Sequence, residues 1–137
     1  MLYHSTKRRN LFIFTKPYKL MIMKEVFFLK TCDTCKRILN EFDFTGFDLH
    51  EIKSTAITEE QLNEMKNLAG SYEALFSRRA QNYKKLGLKD VQLSEEDIKN
   101  YILSDYTFLK RPVIIDGDKI FVGSEKKNLE ALGQHLK

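Results

Sequence analysis

The sequence predicts a single α/β domain in which a mixed four-stranded sheet is flanked by helices. Three observations lead to this fold class. Short apolar runs alternate with amphipathic segments, a hairpin signal lies near the C-terminus, and a block of helical segments separates the two halves. The chain has 137 residues, of which 42% are hydrophobic and 31% are charged. This composition is typical of a globular protein, and no uncharged apolar run approaches the roughly 20 residues that a membrane span requires.

The first half of the domain predicts a strand, a helix and a second strand. In that order, the segments are residues 26–29, 36–42 and 47–52. The helical segment has apolar side chains three and four residues apart, which places them on one face. Thr45-Gly46 separates this helix from the second strand, because glycine favours a turn over a continuing helix.

A block of helical segments follows the second strand. Thr58 begins the first of them with Gln61 three residues later, which is the spacing of a capping box. Ser94 caps the last helix of the block. Two shorter helical segments lie between Gly70 and Gly87, the residues that end helical runs here.

The C-terminal third predicts a β-hairpin and a final helix. Residues 113–115 and 119–122 are apolar runs on either side of Asp116-Gly117-Asp118. This is a strong hairpin signal, because the turn needs a positive φ that Gly117 supplies without strain. Gly123-Ser124 then begins a helix with three leucines on one face: Leu129, Leu132 and Leu136.

Residues 1–23 form a basic N-terminal extension, and residues 24–137 form the predicted domain. Residues 1–24 carry six basic groups and no acidic one, so the net charge of +4 leaves 17 basic and 19 acidic groups in the remainder. Because the excess basicity lies in the extension, we expect no direct binding of nucleic acid by the domain. The extension is a targeting peptide, a disordered basic tail that contacts an acidic partner, or sequence upstream of a true start at Met21 or Met23.

Cys32 and Cys35 are the only cysteines in the chain, and they lie between the first strand and the first helix. Backbone amides at a helix N-terminus favour negative charge, so the pKa of Cys32 should be lowered. Cys35 lies one helical turn further on and would be the resolving thiol. An inert thiol pair is one alternative. A structural zinc site is another, although the three histidines are too scattered to complete a ligand set.

Charged neighbours act on this thiol in both directions. Lys30, Lys36 and Arg37 would support a thiolate at Cys32, whereas Asp33 opposes it. A C-x-x-C pair after the first strand of this pattern is the thioredoxin-like arrangement, and the helical block is then an insertion into that fold. A lone pair of this kind without a clear signal peptide is typical of a reducing cytoplasm.

Arginines in two other stretches suit an anionic substrate. Arg111-Pro112 precedes the first hairpin strand, either as an ordinary strand start or with the cis peptide bond of a thioredoxin-like core. Arg111 either presents its planar fork to an oxyanion or to a carboxylate-bearing thiol such as glutathione, or it lies in solvent. Arg78 and Arg79 are either an exposed basic pair or part of the site. Arg79 is of more interest, because it precedes the apolar face formed by Tyr83 and Leu86.

From Lys24 to its end the chain resembles the arsenate reductase (ArsC)/Spx family of thioredoxin-like proteins. Four stretches carry the resemblance by their order and spacing: residues 31–36, 75–87, 110–117 and 122–123. The resemblance implies that Cys32 is the nucleophile and that Arg111, before a cis-proline, binds an oxyanion near it. It also implies that Arg79 is the family's mid-chain arginine, although Arg78 fits after a shift of one residue.

The resemblance further points to Thr31 and Pro112 as substrate-binding residues. Two departures bear on the substrate. Arsenate reductases coupled to glutaredoxin look like N-P-x-C at the nucleophile. In this chain the residues before Cys32 are Leu29-Lys30-Thr31. They also carry a further arginine where this chain has Val122, and the loss of that cation disfavours a dianion such as arsenate.

Two functions follow from the resemblance. The first is a thiol–disulfide oxidoreductase that acts on a small thiol or oxyanion and has no bound cofactor or metal. Its electrons would come from glutathione, glutaredoxin or thioredoxin. The second is a redox sensor similar to Spx, which contacts the RNA polymerase α subunit and uses Cys32–Cys35 oxidation as a switch. In both cases we expect a cytoplasmic monomer that does not bind a membrane.

Overall fold

The computed structural model describes residues 23–137, so the predictions made for residues 1–22 lie outside the described residues. The four strands are β1 Lys24–Phe28, β2 Asp48–Glu51, β3 Val113–Asp116 and β4 Lys119–Val122. The helices are α1 Asp33–Glu41, α2 Glu59–Ala69, α3 Gln81–Lys85, α4 Glu95–Ser104 and α5 Lys126–His135. Three 3₁₀ turns cover Glu73–Leu75, Leu88–Asp90 and Tyr106–Phe108.

The strands form one mixed sheet in the order β2–β1–β3–β4. Strand β1 is central, because it pairs in parallel with β2 and antiparallel with β3. Val26 in β1 has Leu49 as its partner on one side and Ile114 on the other. The predicted mixed four-stranded sheet with a helical insertion before the hairpin is confirmed.

Alternating side chains of the sheet contribute to two separate cores, since successive residues of a strand face opposite sides. The smaller core lies on the face that packs against α1 and α5, and its buried members are Val26, Ile38, Ile114, Phe121 and Leu132. The larger core lies on the other face. It joins Phe27, Val113 and Ile115 to the helical block, from which Leu62 and Phe108 are fully buried.

The two predicted helix starts are confirmed in atomic detail. Thr58 accepts a hydrogen bond from the Gln61 backbone N–H at 3.0 Å, and the Gln61 side chain accepts one from the Thr58 N–H at 2.9 Å. Ser94 and Asp97 make the same reciprocal pair at the start of α4. Each box satisfies two backbone donors that a helix end otherwise leaves unpaired.

The hairpin is confirmed, and two helical predictions change in detail. Gly117 adopts a φ of +64° in the turn, and its N–H donates to the buried Met23 carbonyl at 2.7 Å. The helical run predicted over residues 72–76 is only a 3₁₀ turn. Helix α5 begins after Glu125 as its N-cap, later than the predicted Gly123-Ser124 start. Among the described residues, no helix is long and apolar enough to cross a membrane.

We predict that Ile114→Ala lowers the free energy of unfolding by about 2–5 kcal/mol, because a buried central-strand side chain leaves a cavity between the sheet and two helices. Urea unfolding followed by circular dichroism measures this change. Leu49→Ala is the matched control, since Leu49 is 54% exposed on an edge strand, and its effect should stay within about 0.5 kcal/mol. Equal losses in the two variants would contradict the assigned core.

Candidate active site

A cavity of about 380 Å³ opens beside the N-terminus of α1. Four segments of the chain surround it: the β1–α1 loop, the segment after the first 3₁₀ turn, the segment before β3 and the β4–α5 loop. The lining residues are Cys32, Thr34, Phe76, Ser77, Arg78, Arg79, Lys110, Arg111, Val122, Gly123, Ser124 and Glu125. The cavity therefore brings Cys32 together with four basic side chains.

Cys32 is the N-cap of α1, so its side chain lies at the helix start. Its backbone is extended, with φ −90° and ψ 115°, and its carbonyl accepts the first helical hydrogen bond, from Lys36 N–H at 3.1 Å. The preceding loop is held in place by Glu51, which accepts a hydrogen bond from the Lys30 N–H at 2.6 Å. Cys32 is half-buried and Cys35 is fully buried. Only Cys32 is therefore open to a substrate in the cavity.

The pKa of Cys32 lies below its ordinary value of 9.0. Partial burial of the thiol raises its pKa, but the polar groups around the sulfur lower it more. These groups are the Cys35 and Thr34 backbone N–H groups and the Cys35 thiol, and the positive charge of Arg111 adds to their effect, although the Cys32 side chain makes no regular capping hydrogen bond. This confirms the predicted effect of the helix N-terminus.

Burial raises the pKa of Cys35 to about 11, so this thiol keeps its proton. The negative charge of Cys32 raises it further, and the hydrogen bond to Cys32 has the same effect. The pair is thus asymmetric, because the thiol that faces the cavity has a lowered pKa and ionises more readily than the buried thiol behind it. In a reactive dithiol, such asymmetry suits attack by the more acidic sulfur and resolution by the other.

The segments that carry the arginines pair with each other. Ser77 N–H donates to the Phe108 carbonyl at 2.7 Å, and Lys110 N–H donates to the Leu75 carbonyl at 2.8 Å. Phe76 and Leu109 form an isolated antiparallel bridge between these two bonds. Because the pairing fixes both backbones, the basic side chains that follow on each segment start from defined positions.

Arg78 and Arg79 differ in their partners. The Arg78 guanidinium donates to Glu73 at 3.0 Å in an exposed pair. Arg79 lines the cavity and makes no hydrogen bond or ion pair within residues 23–137. Lys110 also lines the cavity, and its amine has no partner in that part of the chain. An unpartnered cation retains its capacity for a ligand, so Arg79 and Lys110 are better suited than Arg78 to hold an anion.

Arg111 is half-buried, and the Arg111-Pro112 peptide bond is cis, as in a thioredoxin-like core. One guanidinium nitrogen of Arg111 donates to the Thr107 carbonyl at 3.3 Å. The Nε atom is buried without a hydrogen-bond partner. A buried N–H donor left unpaired is costly, so this atom is suited to an acceptor on a bound ligand.

Most of the predicted site residues meet at the cavity. Cys32, Arg78, Arg79 and Arg111 line it, Cys35 lies behind Cys32, and Pro112 is buried beside Arg111. Thr31 is exposed in the turn before α1 and does not line the cavity, whereas Thr34 does. A substrate-binding role for Thr31 therefore remains a prediction that the cavity does not support.

Some lining residues were not predicted from the sequence. Lys110 could have been found, because it precedes Arg111-Pro112 and carries the same charge. Ser77, Ser124 and Glu125 gave no signal, since single polar residues in loops are common. Lys30, Lys36 and Arg37 are all exposed, and the charge that lowers the pKa of Cys32 is that of Arg111. Within residues 23–137 there is no group of three or more potential metal-ligating side chains.

Comparisons with known proteins identify relatives of this chain. A sequence profile of the ArsC family matches residues 27–132. The uncharacterized protein YusI of Bacillus subtilis strain 168 is 26% identical over 104 residues, which cover 72% of this chain and 88% of YusI. The global transcriptional regulator Spx of Streptococcus mutans UA159 is 24% identical over 113 residues, which cover 80% of this chain and 82% of Spx.

Solved structures share the fold. The crystal structure of a possible arsenate reductase from Streptococcus mutans UA159 superimposes with a TM-score of 0.63 and 28% identity. The match covers 81% of this chain and 98% of that structure. The arsenate reductase from Vibrio cholerae has a TM-score of 0.65 at 17% identity over 81% of this chain and 98% of that one, a likeness of fold alone.

We predict that the rate of Cys32 alkylation by iodoacetamide rises with pH around a midpoint below 9.0, because only the thiolate reacts and its pKa is lowered. Cys35→Ala removes one donor to the sulfur and should move the midpoint up by about 0.7 pH unit. Cys35→Ser, which keeps a hydroxyl donor, is the control and should move it less. A wild-type midpoint at or above 9.0 would show that the helix start does not stabilise the thiolate.

Proposed function

This chain belongs to the ArsC family, and we propose that it is a thiol–disulfide oxidoreductase in which Cys32 is the nucleophile and Cys35 the resolving thiol. The observation that carries the proposal is the asymmetric thiol pair at a cavity whose lining includes two unpartnered cations, Arg79 and Lys110. An inert structural pair has no need of a lowered pKa at the exposed sulfur or of a buried donor behind it.

In the first step the Cys32 thiolate attacks one sulfur of a substrate disulfide. A bond forms between Cys32 and that sulfur, the substrate S–S bond breaks, and the other half leaves as a thiolate that takes a proton from water. The product is a mixed disulfide on Cys32. Arg111 and Arg79 would hold the negative charge of the substrate beside the reacting sulfur.

In the second step Cys35 attacks the Cys32 sulfur and releases the other half of the substrate as a thiol. Part of the elevation of the Cys35 pKa comes from the Cys32 negative charge, which disappears once Cys32 is in a mixed disulfide. Cys35 is therefore more easily deprotonated at the point when its thiolate is needed. Two electrons pass to the substrate, and an external dithiol such as thioredoxin would reduce the new Cys32–Cys35 disulfide, since glutathione could serve as the donor only for a substrate other than its own disulfide.

The cavity favours a small anionic disulfide over a simple oxyanion. Its volume of about 380 Å³ exceeds what arsenate occupies, and Arg79, Lys110 and Arg111 are distributed around its wall. Val122 also lines the cavity. The arsenate reductases that this chain resembles carry an arginine at this position. Glutathione disulfide, with several carboxylates, fits this charge pattern, and arsenate is the less favoured substrate.

We predict that the purified protein reduces glutathione disulfide faster than it reduces arsenate, with thioredoxin supplied as the electron donor. Cys32→Ser should abolish turnover, because no other thiolate faces the cavity. Arg111→Ala should raise the KM for the anionic disulfide about tenfold through the loss of a charge-assisted contact. The assay follows NADPH oxidation through thioredoxin reductase.

Arg37→Ala is the matched control for Arg111→Ala, because Arg37 is an exposed arginine of α1 outside the cavity lining. Its KM should equal that of the wild type. Turnover by Cys32→Ser equal to the wild-type rate would refute the catalytic proposal.

The 24% identity to Spx over 80% of the chain supports a second candidate, a redox-responsive regulator of transcription. In this case oxidation of Cys32 and Cys35 to a disulfide would change the surface at the start of α1, and the protein would contact the RNA polymerase α subunit in the cytoplasm. The same thiol asymmetry serves this role, because a low-pKa thiol reacts first with an oxidant.

We predict for this second candidate that the immobilised protein retains RNA polymerase α subunit from a cell extract in one redox state only. Oxidised and reduced samples are compared, and a Cys32→Ser/Cys35→Ser double variant serves as the control because it cannot switch. Recovery of no α subunit from either sample would eliminate the regulator.

A further inference from the structure

A polar network outside the cavity joins the two segments that carry the arginines, and its centre is Asp105. This residue follows α4 and is the N-cap of the 3₁₀ turn Tyr106–Phe108. It is partly buried and lies in a part of the chain that sequence analysis did not single out.

One oxygen of Asp105 fixes the segment that leads to Arg111. Asp105 Oδ1 accepts hydrogen bonds from the Thr107 backbone N–H at 2.9 Å and from the Thr107 hydroxyl at 2.7 Å. The Thr107 carbonyl in turn accepts the hydrogen bond from Arg111 at 3.3 Å. The carboxylate thus holds Thr107 by its N–H and its side chain, and the carbonyl of the same residue is the acceptor for the Arg111 guanidinium.

The other oxygen of Asp105 fixes the segment that carries Arg79. Asp105 Oδ2 accepts a hydrogen bond from the side-chain amide of Asn82. Asn82 lies in the short helix α3, three residues after Arg79. A single carboxylate therefore connects both arginine-bearing segments, in addition to the backbone pairing between them.

The environment of the Asp105 carboxyl group favours its ionised form. Partial burial raises its pKa, but the hydrogen bonds from Thr107 and Asn82 and the positive charge of Arg111 lower it more, so that the pKa ends below its ordinary value. Arg111 is hydrogen-bonded to the Thr107 carbonyl and forms no ion pair with Asp105 within residues 23–137. This arrangement orients the guanidinium without neutralising it at close range, and it leaves Nε for a ligand.

We infer that Asp105, through Thr107 and Asn82, is a positioning residue that holds Arg111 and Arg79 in place to receive the anionic part of the substrate. The inference rests on the proposed function in assigning anion binding to these arginines. It adds a residue that touches neither the substrate nor the reacting sulfur and acts through two others.

Alkylation of Cys32 by two reagents tests the inference without requiring turnover. Iodoacetate is anionic and iodoacetamide is neutral, so the ratio of their rate constants measures attraction of an anion to the thiolate, independently of the thiolate fraction. Arg111→Ala provides the reference and should lower the ratio. A ratio that Arg111→Ala leaves unchanged would refute the anion-binding role of Arg111 and, with it, the inference.

Asp105→Asn should lower the iodoacetate-to-iodoacetamide ratio about threefold. The new side-chain amide would place an NH₂ group against the Asn82 NH₂ group, and its oxygen would accept more weakly from Thr107 than a carboxylate does. An effect of charge alone would have the opposite sign, because removal of a negative charge favours an anionic reagent. An increased ratio would therefore overturn the inference, and so would an unchanged one.

An exchange variant separates positioning from stability. Asn82→Asp/Asp105→Asn again places one amide opposite one carboxylate, so it should recover most of the ratio lost in Asp105→Asn. Asp97→Asn is the control, because it weakens the capping box of α4 and has no link to either arginine. It should lower the melting temperature and leave the ratio unchanged. An equal fall in the ratio for Asp97→Asn, or no recovery in the exchange variant, would contradict the inference.

Discussion

The site depends on the placement of Cys32 as the N-cap of α1. A side chain at this position lies beside the backbone N–H groups of the first turn, which are without partners in an isolated helix and lower the pKa of the thiol. Because β1 is the central strand and is paired on both sides, the loop that follows it has a fixed origin. Glu51 at the end of β2 then fixes that loop again at Lys30. The fold as a whole therefore determines where the thiolate lies.

The cavity concentrates positive charge that the rest of the domain does not have. Residues 25–137 carry 17 basic and 19 acidic groups, yet four basic side chains and a single acidic one, Glu125, line the cavity. Local charge of this kind attracts an anionic reactant even when the net charge is unfavourable. Of these cations, Arg111 also lowers the pKa of Cys32, and it adds to the larger effect of the neighbouring backbone N–H groups and the Cys35 thiol.

Much of the fold could be predicted from the sequence because its signals are local. The capping pair of Thr58 and Gln61, the turn at Gly117 and the thiol pair before α1 each depend on residues a few positions apart. The activating cation could not be identified in this way. Lys30, Lys36 and Arg37 are close to Cys32 in sequence but exposed, whereas Arg111 reaches it only through the folding of β3 beside β1.

The contribution of Asp105 is harder still to predict from sequence, because a single aspartate between a helix and a turn has many uses. Its importance is visible only when its two oxygens are traced to Thr107 and Asn82. Likewise, the sequence does not show which of the adjacent Arg78 and Arg79 is available to a ligand. The structure distinguishes them, because Arg78 forms an ion pair with Glu73.

The central claim is that Cys32 attacks the substrate and Cys35 resolves the product, and trapping of the intermediate tests it most directly. Cys35→Ser is mixed with glutathione disulfide, and the adduct is located by mass spectrometry of peptides after digestion. The account predicts one glutathione on Cys32, stable because the resolving thiol is absent, and no such adduct in the wild type, where Cys35 displaces it. Persistence of the adduct in the wild type, or its absence from the Cys35→Ser variant, would contradict the account.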